Sequence, residues 1–165
     1  MVAGTRMNGV LRWHPMVVHF PLALVATAAV MLLGARLLRR EPQAAVLATV
    51  GTWNLCLGAV AAVIALGTGL GAVLDLDVSA AARESISTHA KWAIFTTLAL
   101  LLLAVWRGAG TEQRSRPTWL FTLLVLAATA ALLMTGYRGG QNVYRFGVGV
   151  ETSVMQITGV ARPPR

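Results

Sequence analysis

Four stretches of the chain are apolar over about the 20 residues that a helix needs to cross a hydrocarbon core roughly 30 Å thick. They cover residues 15–38, 42–74, 87–106 and 117–137. No other feature constrains the fold as much, because backbone in lipid must satisfy its own N–H and C=O groups, and spans of this kind do so as helices. Only 12 % of residues are charged, about half the share in a soluble domain. With 56 % apolar residues and a mean hydropathy of +0.68, the surface has too few charges to face water throughout. Hydropathy also excludes a disordered chain. The lone Cys56 excludes a disulfide scaffold, and no Cys-x-x-Cys-His occurs to attach a c-type haem.

Six acids against 14 bases give a formal +8, and every base except Lys91 is arginine. In a soluble protein that balance would suggest nucleic acid. Here the arginines cluster at the ends of apolar runs, where they read as topology signals and headgroup contacts, so the lipid bilayer is the expected partner and nucleic acid is not. The expectation is a single all-α membrane domain over 1–165. It is an integral membrane four-helix up-down-up-down bundle with a Gly-rich C-terminal segment over 138–165 that forms an interfacial stretch and tail. The first run is expected to be a retained helix and not a cleaved signal, because Arg36, Arg39 and Arg40 follow it and no small-x-small site lies beyond. Pro42 and Pro117 suit first-turn positions. Gly67 with Gly71, and Gly58 with Ala62, have the spacing of close helix packing. Trp13, Trp92, Trp106 and Trp119 fall near span ends, as anchoring aromatic residues do. No internal repeat or second domain is evident.

Antiparallel spans place the starts of the first and third beside the ends of the second and fourth. His14, His19, His89 and Lys91 therefore share one end with Tyr137, Arg138, Gly139, Gly140, Tyr144 and Arg145. That end holds every histidine of the chain. Asp75 and Asp77 follow the second span and are expected to terminate it and meet water or Arg83. Glu84, Ser87 and Thr88 are expected to help start the third helix. Gly139-Gly140 reads first as a chain reversal after the fourth span and second as a place of close approach to a cofactor. The stretch 141–150 reads as a short strand or irregular lid. The short loop after Arg36 and the one holding Arg114 and Arg116 favour a cytoplasmic side there, which leaves the histidine end and both termini outside.

The segment His14-Pro-Met-Val-Val-His-Phe-Pro-Leu-Ala-Leu24 resembles the His-Pro-x-x-Val-His-Phe-Pro opening of the bacterial domain-of-unknown-function-2231 (DUF2231) proteins. His89, opening the third helix, and the closing run Thr135-Gly-Tyr-Arg-Gly-Gly-Gln-Asn-Val-Tyr-Arg-Phe-Gly-Val-Gly-Val150 are similar to that family too. Gln141 departs from it in a minor way. The resemblance implies a small multi-pass protein of the bacterial inner membrane, with a hint of electron transfer from associated Rieske or cytochrome modules, and brings no settled activity.

An imidazole near the hydrocarbon boundary is costly unless it is hydrogen-bonded or bound to a metal. Two histidines from facing helices suit haem b, and His19 with His89 is the expected axial pair. Ala23, Ala26, Ala93 and Thr96 would leave room for the macrocycle. Lys91, Arg138 and Arg145 would pair with propionates, and Tyr137 or Tyr144 would donate hydrogen bonds. Five residues turn an ideal helix by about 140°, so His14 and His19 do not share a face. His14 then caps the mouth, supports a ligand, or replaces His19. The leading reading is a b-type cytochrome-like electron-transfer subunit with a redox partner protein. Two others stand beside it: a non-catalytic membrane subunit in a homo- or hetero-oligomer with structural histidines, and a three-histidine zinc or copper site made by His14, His19 and His89. No charged residue lies near mid-span to suggest a transporter.

Overall fold

A computed structural model describes residues 9–73, 78–109 and 117–150. Asp75, Asp77, Arg114, Arg116 and the 151–165 tail lie outside the described residues. The chain is all-α: α1 (Gly9–Val17), α2 (His19–Leu37), α3 (Gln43–Val73), α4 (Ala80–Ala109) and α5 (Trp119–Phe146). Four spans are long and apolar enough to cross a membrane: Trp13–Leu37, Gln43–Val73, Ala80–Gly108 and Trp119–Phe146. The first is built from α1 and α2, which part at Val18. Pro21 has no N–H to offer the carbonyl of Val17, so the ladder loses a rung there.

The helices form a ring in which α2 packs on α3, α3 on α4, α4 on α5 and α5 on α2, while α1 rests on α3 and α2. Side-chain contacts fix the antiparallel sense. Ser85 near the start of α4 donates to Asn142 Oδ1 near the end of α5 at 2.6 Å. At the other end, Arg36 of α2 lies over the ring of Trp119 of α5. With 31 residues, α3 is about 46 Å long at 1.5 Å per residue, so it extends past the hydrocarbon.

The interior is made of small and medium side chains, with Val25, Leu32, Leu55, Leu100 and Val125 at its centre and a run of alanines on α3 around them. Large apolar side chains such as Phe20, Ile64, Phe95, Leu102 and Leu120 are exposed on the outside. Such an inside-out distribution suits lipid, where burying apolar surface gives no advantage and close backbone approach does. Close approach occurs at Gly51 and Gly58: a Cβ on Gly51 would stand 2.8 Å from Leu32 Cγ, and one on Gly58 2.7 Å from Val25 Cγ2. Gly58 of the expected Gly58–Ala62 pair thus lies in this interface, and Ala62 is buried. Gly67 does not, since nothing stands within 4 Å of where its Cβ would be.

Two helix boundaries differ from expectation. α4 starts at Ala80, where Ser79 Oγ accepts from the N–H of Ala82 at 3.3 Å; Ser87 and Thr88 are interior, and Thr88 donates back to the carbonyl of Glu84. His89 consequently sits more than two turns inside the helix. α5 runs straight through Gly139 and Gly140 to Phe146, so this pair makes no reversal, and 141–146 is neither strand nor lid. Glycine costs about 1 kcal/mol in a helix, yet burial of Asn142 against Ser85 holds the extra turns in place. The reversal comes at Gly147, in the left-handed region at φ 64°. Its N–H reaches the carbonyl of Val143, and that of Val148 reaches Asn142, a glycine-terminated helix end.

Candidate functional site

Two half-buried imidazoles lie at the histidine end, and Nδ1 of each meets an oxygen of a neighbouring helix. His14 Nδ1 lies 3.0 Å from Thr68 Oγ1 on α3. When the Thr68 hydroxyl donates to the carbonyl of Ala65 at 2.9 Å, it accepts from His14, whose proton is then on Nδ1. His89 Nδ1 lies 3.1 Å from the backbone carbonyl of Thr135 on α5. A carbonyl can only accept, so His89 also carries its proton on Nδ1. In that tautomer the lone pair of each neutral ring is on Nε2. The two rings are close enough for their charges to interact.

Each ring also rests against a glycine. A Cβ on Gly69 would stand 2.9 Å from His14 Cε1, and one on Gly139 would stand 3.1 Å from His89 Cε1. Below them, Thr96 Oγ1 pairs with Thr135 Oγ1 at 3.2 Å, and both threonines are buried. Since Thr135 Oγ1 donates to the carbonyl of Ala131, the proton between the two threonines belongs to Thr96. Arg138 lies within electrostatic reach of His89 and stacks over Trp92 at 5.6 Å. Its Nε is buried and has no hydrogen-bond partner among the described residues.

His19 lies elsewhere. It is exposed, and its Nδ1–H donates to the carbonyl of Pro15 one turn back at 2.6 Å. Of the three rings it is therefore His14 and His89, not His19, that are half-buried. The cause is the rotation between residues 14 and 19: with His14 turned onto α3, His19 must face outward. For the same reason the three histidines do not converge, and among the described residues no group of three or more His, Cys, Asp or Glu side chains could hold a metal ion.

Of the other expected residues, Arg138 and Gly139 join the imidazoles, while Lys91, Tyr137, Tyr144 and Arg145 are exposed. Tyr137 accepts from Gln141 Nε2 through its hydroxyl at 2.6 Å, and Arg145 lies over Phe146. Tyr137, Gly140, Gln141, Tyr144 and Arg145 instead line an open groove of about 690 Å³. Ala23 is exposed and Ala26 and Ala93 are half-buried, so only Thr96 of the four small residues is fully enclosed.

Thr68, Gly69 and Thr135 were not expected to matter. A signal for them exists in the spacing of the two halves. His14 and His89 are each followed six residues later by a phenylalanine, Phe20 and Phe95, and both phenylalanines are 64 % exposed. The next span in each half carries a Thr-Gly pair, Thr68-Gly69 and Thr135-Gly136, whose threonine holds the imidazole. Each helical hairpin thus contributes one inward imidazole with its own acceptor.

At the opposite end, Arg107 is buried at 4 % exposure. Its Nε–H donates to Thr52 Oγ1 at 3.2 Å, and its guanidinium lies over Phe121. This arginine is part of the bundle interior as well as of the basic end.

The sequence pattern of the DUF2231 family, described as a predicted membrane protein, matches residues 12–152. No curated protein and no solved structure matches the chain.

Proposed function

On the premise that the chain belongs to the DUF2231 family of predicted membrane proteins, we propose that it is a membrane subunit for electron transfer that holds one b-type haem between His14 and His89. The observation that carries this reading is the shared setting of the two rings: Nδ1 of each lies within hydrogen-bond distance of an oxygen on a neighbouring helix, which leaves Nε2 as the atom to ligate. Metal-ligating histidines are held in this way, because the second-shell acceptor fixes the ring and raises its basicity. Two imidazoles are a haem-type donor set, and each ring seats its Cε1 edge against a glycine, which steadies its orientation. The unpartnered Nε of Arg138 would suit a propionate carboxylate. Bound there, the haem would supply reversible one-electron chemistry. The protein's part would be to ligate it, neutralise its carboxylates and exclude water.

The end with Arg36, Arg39, Arg40 and Arg107 is assigned to the cytoplasm of a bacterial cell, which puts the imidazoles near the outer face of the inner membrane, where a redox partner protein would meet them. Protein purified after expression with ample haem should give sharp α and Soret bands in a reduced-minus-oxidised spectrum. H14A and H89A should each abolish them, and H19A should keep them. A folded wild-type protein without these bands overturns the reading.

The second reading, a non-catalytic subunit with structural histidines, is favoured by one observation: both inward rings already have a protein partner at Nδ1. On that reading H14A and H89A lower stability and no pigment is present in any variant.

A further inference from the structure

The two imidazoles are held by unlike acceptors. That of His89 is a backbone carbonyl, which no side-chain substitution at Thr135 removes. That of His14 is a hydroxyl, and its direction depends on a second bond, Thr68 Oγ1–H to the carbonyl of Ala65 at 2.9 Å. A threonine inside a helix commonly donates back along its own chain. Here that habit has a consequence for another helix, because a hydroxyl whose proton is committed can only accept from His14. Gly69 adds a steric limit, since its missing Cβ is the space that the Cε1 edge of His14 occupies.

We infer that Thr68 is the positioning residue that fixes His14 as an Nε2 lone-pair donor. It touches no ligand itself and acts only through the ring. The proton position belongs to the chain with or without a cofactor; the effect on ligand retention rests on the haem reading above. Valine at 68 keeps the shape and removes the acceptor. The ring then loses the hydroxyl and keeps only its weaker approach to the Ala65 backbone, and the tautomer with the proton on Nε2, which cannot ligate a metal through that atom, becomes accessible.

The test uses the full chain in nanodiscs with 15N-labelled histidine and no added haem. In wild type the His14 resonances should show a protonated Nδ1 and an unprotonated Nε2. In T68V they should show a mixture of tautomers, and in T68S the wild-type pattern should return. T49V, at an exposed threonine that bonds only within its own helix, should change nothing. With haem loaded, T68V should lose pigment to a haem acceptor about tenfold faster or more, and T68S should not. The inference is overturned if wild-type His14 carries its proton on Nε2, or if T68V leaves both the tautomer and the retention unchanged. Should T68V fail to fold, the wild-type resonances and the T68S protein still decide it. If no variant binds haem, the haem reading fails and the tautomer measurement still decides the role of Thr68.

Discussion

Gly139 lies one helical turn after Thr135 on α5, and its missing side chain lets His89 reach the Thr135 carbonyl at 3.1 Å. That carbonyl is inside a helix, where the residue four positions on normally flanks it with a Cβ. A Cβ on Gly139 would come within 3.1 Å of His89 Cε1, tighter than ordinary van der Waals contact, so the ring would have to give way.

G139A should therefore lengthen or break the His89 hydrogen bond while leaving the helix intact or slightly favoured, since alanine is the better helix former. Haem retention should fall about tenfold, the size of effect typical when a ligand's supporting contact is lost. G140A is the control, because its Cβ would meet only Tyr144, at 4.0 Å. Spectra of the two variants, with histidine 15N shifts, measure the difference.

A second prediction concerns α2 against α3. In G58A the new methyl would meet Val25 Cγ2 at 2.7 Å, with Leu24 Cβ at 3.3 Å and the Val25 backbone nitrogen at 3.4 Å behind it. Valine is stiff at χ1 and cannot swing aside cheaply. The helices must separate, which should cost about 1–3 kcal/mol. G67A, with open space around it, should be neutral or stabilising by up to about 1 kcal/mol. Thermal or denaturant unfolding in detergent would compare the two, and equal stability would show that this interface does not depend on close approach.

The fold was legible in this sequence because hydropathy alone specifies spans, and short connections leave an antiparallel ring as the simplest assembly. That His14 and His89 share one end was legible too, since antiparallel spans of such a ring must place them there. Which histidine turns inward was not. The rotation between His14 and His19 says only that they part; which one faces the core is settled by where α3 presents Thr68 and Gly69, a relation between helices. Thr68 and Thr135 were hidden because an intrahelical threonine looks ordinary until a ring is found on it. Gly139-Gly140 misled for the opposite reason. Local propensity predicts a break there, and the tertiary contact of Asn142 with Ser85 carries the helix past it. Arg107 looked like one more basic residue at a span end, and only the packing shows it enclosed.

That enclosure carries the last prediction. Thr52 is itself buried, and its hydroxyl donates to the carbonyl of Ala48 at 2.7 Å, so toward Arg107 it acts as an acceptor, at 3.2 Å from Nε. T52V keeps the volume close to the original and removes that acceptor from a charged donor in a site that water does not easily reach. Hydrogen bonds to charged groups contribute about 1.5–3 kcal/mol, and T52V should lose stability in that range, with T52S retaining most of it. The stacking of Arg107 over Phe121 at 5.7 Å is left in place by both variants, so the difference between them isolates the hydroxyl. Unfolding in a single detergent at matched concentration would measure it. A T52V protein as stable as T52S would mean that the other contacts of Arg107 hold the guanidinium without Thr52.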